Sequence, residues 1–463
     1  MSRASRTNKL FKASVRWEHK HKLIPHLVVF CLLTILTIKL LFRTSSSNDL
    51  LYGYGIVVTS VISLMFILSF TKYKDPYIKA HKALAKRPHR RRPFVSCIVA
   101  VFNEEDLIEQ CLQSMVGQDY HKKEIIVVND ASTDNTGKIL DELAKKLDIK
   151  VIHLKQNLGK KGALCAGTYS SKGTIFAYTD SDSTWAPDAI SKIVEIFEYY
   201  PNVGAVSGHT RALNGGKNLL TKVQDSWYEG QYSIRKAFES IFGAVTCVSG
   251  PLAVFRKETI WNFMPAWQHD MFLGQEFRFA TDRTLTGFAL GGKYIGKKLK
   301  KKYADSAFMK IDYPLRDWKI VYCKAARAWT HVPDTFSRML KQQIRWKKSF
   351  IRNIFFTGKF YWRKSFLPAM VYYLHIAFVL LGPFIAFRHV VYLPLHGNLY
   401  SAFLYFSGIL FIGFMFGLAF KLENPDSNRW VYRPLMSLLS TTVLSWLIFY
   451  SAATIKKMHW SRA

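Results

Sequence analysis

Two apolar blocks near the start of the chain, about Leu23 to Leu41 and about Leu51 to Phe70, restrict what this sequence can become more than any other feature. Each is close to the roughly 20 residues that a helix needs to cross a hydrocarbon layer. A cleaved leader would show a shorter apolar run followed by a small-residue cut site; here the run is long and a second block follows at once. Three more blocks close the chain, at about Phe366 to Phe387, Leu399 to Phe420 and Leu435 to Ile455. The sequence therefore predicts helical membrane parts at both ends and a charged, mixed domain between them.

Flanking charge orients the spans. Arg3, Arg6, Lys9, Lys12, Arg16, Lys20 and Lys22 precede the first block, the loop Thr44 to Asp49 carries no Lys or Arg, and Lys72, Lys74, Lys79, Lys82, Lys86 and Arg90 to Arg92 follow the second. Basic loops stay inside, so the N-terminus and the central domain are expected to be cytosolic, in a cell-membrane protein. Three full crossings at the end would leave the tail outside, yet Lys456, Lys457 and Arg462 favour inside. One block, the Ser- and Thr-interrupted last one, is therefore read as interfacial or re-entrant. The expected segments are a basic tail (1–22), two spans (23–71), a cytosolic domain (90–335), interfacial helices (336–364), transmembrane or re-entrant helices (366–455) and a basic tail (456–463).

The net charge of +33 would alone suggest a nucleic-acid binder. Beside membrane spans it is better explained by topology, by anionic lipid headgroups and by a polyanionic nucleotide ligand, and no nucleic-acid partner is expected. Six cysteines scattered without a C-x-x-C pair argue against a zinc or disulfide framework and suit a reducing compartment.

From Phe94 onward, β-branched runs alternate with helical patterns. Strands are expected at Ser96 to Val101, Glu124 to Val128, Lys150 to Leu154 and Thr174 to Thr179. Helices are expected at Glu104 to Met115, about Asn135 to Leu147, and Lys161 to Ser171. Such alternation implies a mostly parallel sheet with ligands at the carboxyl ends of its strands. Polar clusters fall at those ends: Phe102-Asn103-Glu104, Asn129-Asp130-Ala131-Ser132 and Asp180-Ser181-Asp182. Any one of them alone reads better as a turn or helix cap; three together, after the first, second and fourth strands, point to a site. The absence of a G-x-G-x-x-G turn and of a Walker lysine loop argues against a dinucleotide dehydrogenase and a P-loop ATPase. Asp-x-Asp offers hard oxygen ligands suited to Mg²⁺ or Mn²⁺ bridging to phosphates.

The ordered motifs "VFNEE", "VVNDAS", "NLGKKGA", "TDSD", "CVSGPLAVFRKE", "ATDRTLTGFAL" and "KQQIRWKKSF", with spans before and after, resemble processive, membrane-embedded, inverting glycosyltransferases of the GT-A fold. Hyaluronan synthases are the most similar group, with chitin and cellulose synthases as relatives. The resemblance implies a Rossmann-like α/β GT-A domain joined to a transmembrane helical bundle and interfacial helices. It implies that Phe102 and Asp130 hold uracil and ribose, that Glu104 shapes that pocket, and that Lys160, Asp180, Gln342 and Arg345 contact the nucleotide and its diphosphate. Asp182 would ligate Mg²⁺ or Mn²⁺. Ser249, Gly250, Pro251 and Trp346 would line the acceptor site, and Asp282 would be the general base. The implied partners are UDP-sugar donors, a nascent polysaccharide and membrane lipids. Chemically, a carboxylate suits position 282 because the attacking hydroxyl must lose its proton as the anomeric centre inverts. The local alternative is an Asp simply paired with Arg283. The family has an acidic residue before this Asp, whereas this chain has Thr281.

Helical periodicity places Leu340, Ile344, Ile351 and Phe355 on one stripe and Gln342, Arg345 and Trp346 around the other side, as expected of a helix lying on a membrane. Arg338, Lys341, Arg345, Lys348 and Arg352 form a neighbouring stripe read as headgroup contacts, and Lys347 is expected to snorkel. The lysine-rich stretch Gly291 to Lys302 reads as a solvated loop. The expected function is a hyaluronan-synthase-like polymerase using UDP-GlcNAc and UDP-GlcA. The alternatives are a chitin-type synthase using UDP-GlcNAc alone, a transferase adding one sugar to a lipid phosphate, and a basic membrane scaffold with an inactive fold.

Overall fold

The computed structural model describes residues 29–30, 33–34, 37, 49–86 and 92–457. The expected tail 1–22, most of the first span and the end of the C-terminal tail lie outside the described residues. The chain divides into two compact units, Met1–Lys72 with Leu381–Thr442, and Tyr73–Leu380 with Val443–Ala463.

The described residues of the first unit are mostly helical. The helices Asp49–Thr71 and Leu399–Glu423 are apolar around their whole circumference, as a lipid-facing span requires. Phe66 meets Phe416 edge-to-face with ring centres 4.9 Å apart, joining these two helices. Among the described residues, three helical stretches are long and apolar enough to cross a bilayer: Asp49–Leu84, Phe366–Leu395 and Leu399–Glu423. The last block is broken, and Arg429–Thr442 and Leu444–Ala453 reach span length only together.

The second unit is built on an eight-stranded sheet. Its strands are β1 (Val95–Val101), β2 (Lys123–Asn129), β3 (Lys150–His153), β4 (Ile175–Thr179), β5 (Ser183–Trp185), β6 (Val203–Ala212), β7 (Ala253–Arg256) and β10 (Lys319–Thr330). The two-residue strands β8 (Met271–Phe272) and β9 (Gln275–Glu276) form a separate hairpin. Sheet order is β3-β2-β1-β4-β7-β6-β10-β5. The β3-β2-β1-β4 half is parallel, as is β6-β10, whereas β7 runs antiparallel to both neighbours and β5 antiparallel to β10.

All seven residues of β1 are buried, as a strand covered on both faces demands. Ile98 and Ala100 join one apolar layer, while Val95, Cys97, Val99 and Val101 join the other. That split is the two-residue period of a strand feeding two cores. A Cβ at Gly167 would lie 2.7 Å from Ile98 Cγ2, so glycine lets the helix Gly159–Tyr169 sit close against β1.

Two expectations are corrected. Gly291 to Lys302 is not a loop but the second half of the helix Thr281–Lys302. Lysine is a good helix former, and two ring contacts hold the helix down: Phe288 stacks on Phe263 and Tyr294 on Phe360. The basic stripe of the helix Phe336–Phe356 is not wholly a headgroup surface. Lys348 and Arg352 are buried, Lys348 on the Lys457 carbonyl at 2.7 Å and Arg352 on Asp270. Lys347 is also drawn in: burial pulls its ammonium down to about 8, with Arg283 adding to the effect. The apolar stripe is partly covered by protein, since the helix Leu447–Ala453 packs on it and Ser451 donates to the Ile344 carbonyl at 3.3 Å.

Candidate active site

The ends of β1 and β2 are laced together. Asn103 adopts a left-handed backbone (φ 54°), and its N–H donates to Ser132 Oγ at 3.0 Å while its side-chain oxygen accepts from the Thr133 N–H at 2.8 Å. The Glu104 N–H donates to Thr136 Oγ1 at 2.9 Å. Asp130 accepts from the Leu158 N–H at 2.7 Å, which draws the "NLGKKGA" segment to the same sheet end. Burial raises the Asp130 carboxyl and that N–H opposes the rise.

Lys160 reaches from this segment to form an ion pair with Asp180. Asp182 accepts from Ser183 Oγ and Thr330 Oγ1, each at 3.1 Å. Burial raises the Asp182 carboxyl, and Asp180 beside it raises it further. Burial pulls Lys160 down, but Asp180, Asp182 and Asp282 outweigh it and hold the ammonium above its ordinary value. Two crowded carboxylates and one ammonium form a site where a cation is electrostatically welcome. Their all-oxygen donors fit a hard divalent ion. Among the described residues no group of three or more His, Cys, Asp or Glu gathers for a metal. An ion here would therefore lean on this pair and on phosphate oxygens, a common arrangement for Mg²⁺.

Asp282 opens the helix Thr281–Lys302 after Ala280, which is left-handed at φ 60°. Its Oδ1 accepts from the Arg283 N–H at 2.8 Å and its Oδ2 from the Cys247 thiol at 3.3 Å. The Arg283 guanidinium instead lies 6.0 Å from the Phe350 ring centre. Nearby, Lys236 donates to Ser249 Oγ at 2.5 Å and Ser207 Oγ at 2.8 Å, and lies 4.2 Å from the Tyr232 ring centre. Burial pulls this ammonium down to about 8. Sequence reasoning missed Lys236 and Cys247. Lys236 ends a π-helical turn, Gln231–Lys236, whose register local periodicity does not reveal.

On the helix Phe336–Phe356, Trp346 stacks on Trp227 with ring centres 5.6 Å apart and an interplanar angle of 25°. Burial lowers the Arg345 guanidinium, while Asp180 and Asp182 oppose the shift. Gln342 Oε1 is buried without a hydrogen-bond partner among the described residues. One cavity of about 730 Å³ is lined by Glu104, Lys160, Asp180 and Asp182, by Ser249, Gly250, Pro251 and Asp282, and by Gln342, Arg345 and Trp346. Phe102 and Asp130 do not line it. Such a cleft can hold a nucleotide against the acidic pair and a second ligand against the tryptophans.

Residues 96–263 match glycosyl transferase family 2. A hyaluronan synthase of Streptococcus pyogenes serotype M3 is 26% identical, covering 93% of this chain and 94% of the relative. An N-acetylglucosaminyltransferase of Rhizobium meliloti is 30% identical, covering 64% of this chain and 66% of the relative. One from Rhizobium leguminosarum bv. viciae is 31% identical over 56% of each. Among solved structures, a mannosyltransferase from Pyrobaculum calidifontis in complex with GDP-Man and Mn²⁺ is similar, with a TM-score of 0.51 and 20% identity, covering 87% of this chain and 99% of that one. That likeness shows a shared GT-A fold.

Proposed function

We propose that the protein is a processive polysaccharide synthase, because residues 96–263 match glycosyl transferase family 2 and three helical stretches among the described residues are long and apolar enough to cross a membrane. It transfers sugars from UDP-GlcNAc and UDP-GlcA with inversion on the cytosolic side and passes the growing chain across its own membrane. The observation that carries this reading is the single cavity joining Asp180 and Asp182 to Asp282 and to the stacked Trp346. Donor, base and acceptor platform can then act without the product leaving.

In this mechanism Phe102, Glu104 and Asp130 hold the uridine, and Lys160 and Asp180 receive the nucleotide. Gln342 and Arg345 face the diphosphate, where a guanidinium can fork onto two oxygens. Asp182 would hold Mg²⁺ or Mn²⁺, which supplies neutralisation of charge on the departing diphosphate. Ser249, Gly250, Pro251 and Trp346 orient the acceptor, the indole stacking on a sugar face. Asp282 takes the acceptor hydroxyl's proton on its carboxylate as that oxygen attacks opposite the leaving group. Basic loops beside the spans would rest on anionic headgroups.

The test is to incubate the purified chain with each UDP-sugar, alone and paired, and to size and digest the product. Polymer that forms only with both donors supports the reading. Polymer from UDP-GlcNAc alone supports a chitin-type synthase, the second reading, which the 30–31% identity to rhizobial N-acetylglucosaminyltransferases favours. A single sugar on a lipid would exclude both.

A further inference from the structure

Asp270 lies in the segment between the helix Met264–Gln268 and the β8-β9 hairpin, outside every motif named above. Its carboxylate is almost completely buried and bonds two buried cations from distant parts of the chain. Oδ2 accepts from Lys161 Nζ at 2.9 Å; Oδ1 accepts from Arg352 Nε at 3.2 Å and also from its Nη2. The three side chains are only 2%, 5% and 9% exposed for Asp270, Lys161 and Arg352.

Each partner belongs to a different working part of the cleft. Lys161 follows Lys160, which pairs with Asp180. Arg352 stands two helical turns after Arg345 on the same face of the helix Phe336–Phe356. Asp270 itself begins the loop that leads to Asp282. Lys161 donates a second bond to the Phe277 carbonyl at 2.8 Å, and the Phe277 N–H closes back on the Asp270 carbonyl at 2.7 Å. Beyond Phe277 the backbone turns left-handed at Ala280, and Trp267 Nε1 fixes the Thr281 carbonyl at 2.9 Å.

Neither the loop nor the helix Phe336–Phe356 is a strand of the main sheet, so sheet hydrogen bonds do not set their positions. The helix Gly159–Tyr169, in contrast, packs directly on β1 and β2. We infer that Asp270 is a positioning residue: gripping Arg352 and Lys161 together, it holds the Asp282 loop and the Arg345-bearing helix in register with the helix that carries Lys160. Buried ion groups are costly to desolvate and add little net stability, so a role in fixing geometry accounts for this cluster better than strength alone. This rests on the proposed transfer reaction for its kinetic readout.

The experiment uses the full chain in nanodiscs. In Asp270→Asn the carboxylate charge is lost and the two cations remain. Turnover should fall roughly ten- to a hundred-fold, as expected when reacting groups lose alignment. UDP affinity should fall by less than turnover, within about ten-fold, since only the Arg345 contact to the diphosphate is loosened while the uridine contacts at the ends of the sheet strands are untouched. Hydrogen exchange should quicken in 270–282 and 336–356 but not in β1, β2 and β4. The double variant Asp270→Asn/Lys161→Met removes one stranded cation, protecting the fold, and should remain slow. Wild-type turnover in either folded variant overturns the inference. So does a proportional loss of UDP affinity and turnover in both, or failure of both to fold, because each assigns Asp270 to stability alone. If the unaltered chain turns over no UDP-sugar, the functional reading fails, while the exchange pattern still decides the role of Asp270.

Discussion

A Cβ on Gly250 would lie 2.6 Å from both carboxylate oxygens of Asp180. The turn after Ser249 can therefore approach that carboxylate only as glycine, and the proposed acceptor wall and nucleotide end meet there. Gly250→Ala should push Asp180 away from Lys160 and lower turnover about ten- to a hundred-fold with little change in Tm. Steady-state kinetics beside a melting curve check this, and unaltered turnover would remove Asp180 from the site.

Asp282→Asn keeps the side chain's size but loses its capacity to take a proton. Transfer should fall about 10²- to 10⁴-fold, while calorimetry with UDP gives an unchanged Kd. Undiminished transfer would mean that another group accepts the proton.

The acidic pair predicts a metal requirement. EDTA should abolish transfer and Mn²⁺ or Mg²⁺ restore it. Asp182→Ala should stay at least about a hundred-fold slower even in excess metal. Full activity of the chelated protein would contradict the assignment of Asp182.

Stacking of Trp346 on Trp227 predicts a defect in holding the chain rather than in splitting the donor. Trp346→Ala should shorten the polymer and raise the ratio of UDP released to sugar incorporated, and Trp346→Phe should recover part of the length. Product sizing on gels reads both.

Lys236 makes stability depend on pH. Its folded value of about 8 lies below the ordinary lysine range because it is buried. The unfolded chain therefore binds more protons above that value, and this lysine's penalty is fully present near pH 7 and relieved as pH rises through 8. Between pH 7 and 9 the natural chain should gain roughly 1 kcal/mol relative to Lys236→Met. Denaturant titrations of both proteins at the two pH values measure this; parallel behaviour would show that Lys236 is not buried as a cation.

Local patterning carried much of this architecture. The expected strands Ser96 to Val101 and Glu124 to Val128 fall within β1 and β2, because a buried parallel strand must be a continuous apolar run wherever it pairs. Asp130, Asp180 and Asp182 follow such runs, so their place at the sheet's carboxyl edge was readable from order alone. The insertion of β7 antiparallel between β4 and β6 was not readable, since "AVFR" is too short to declare its partners. The charge of the stretch Gly291 to Lys302 suggests a loop, yet it continues the helix Thr281–Lys302, which Phe288 and Tyr294 anchor on Phe263 and Phe360.

Where the chain must be apolar, where strands give way to helices and which acidic residues stand at their ends all follow from neighbours a few positions apart. Which charges are buried together does not. Lys236 bonded to Ser207 and Ser249, and Asp270 bonded to Lys161 and to Arg352, are direct pairs up to 109 positions apart. Burial of a charge depends on what the rest of the chain packs around it, and no local period records that.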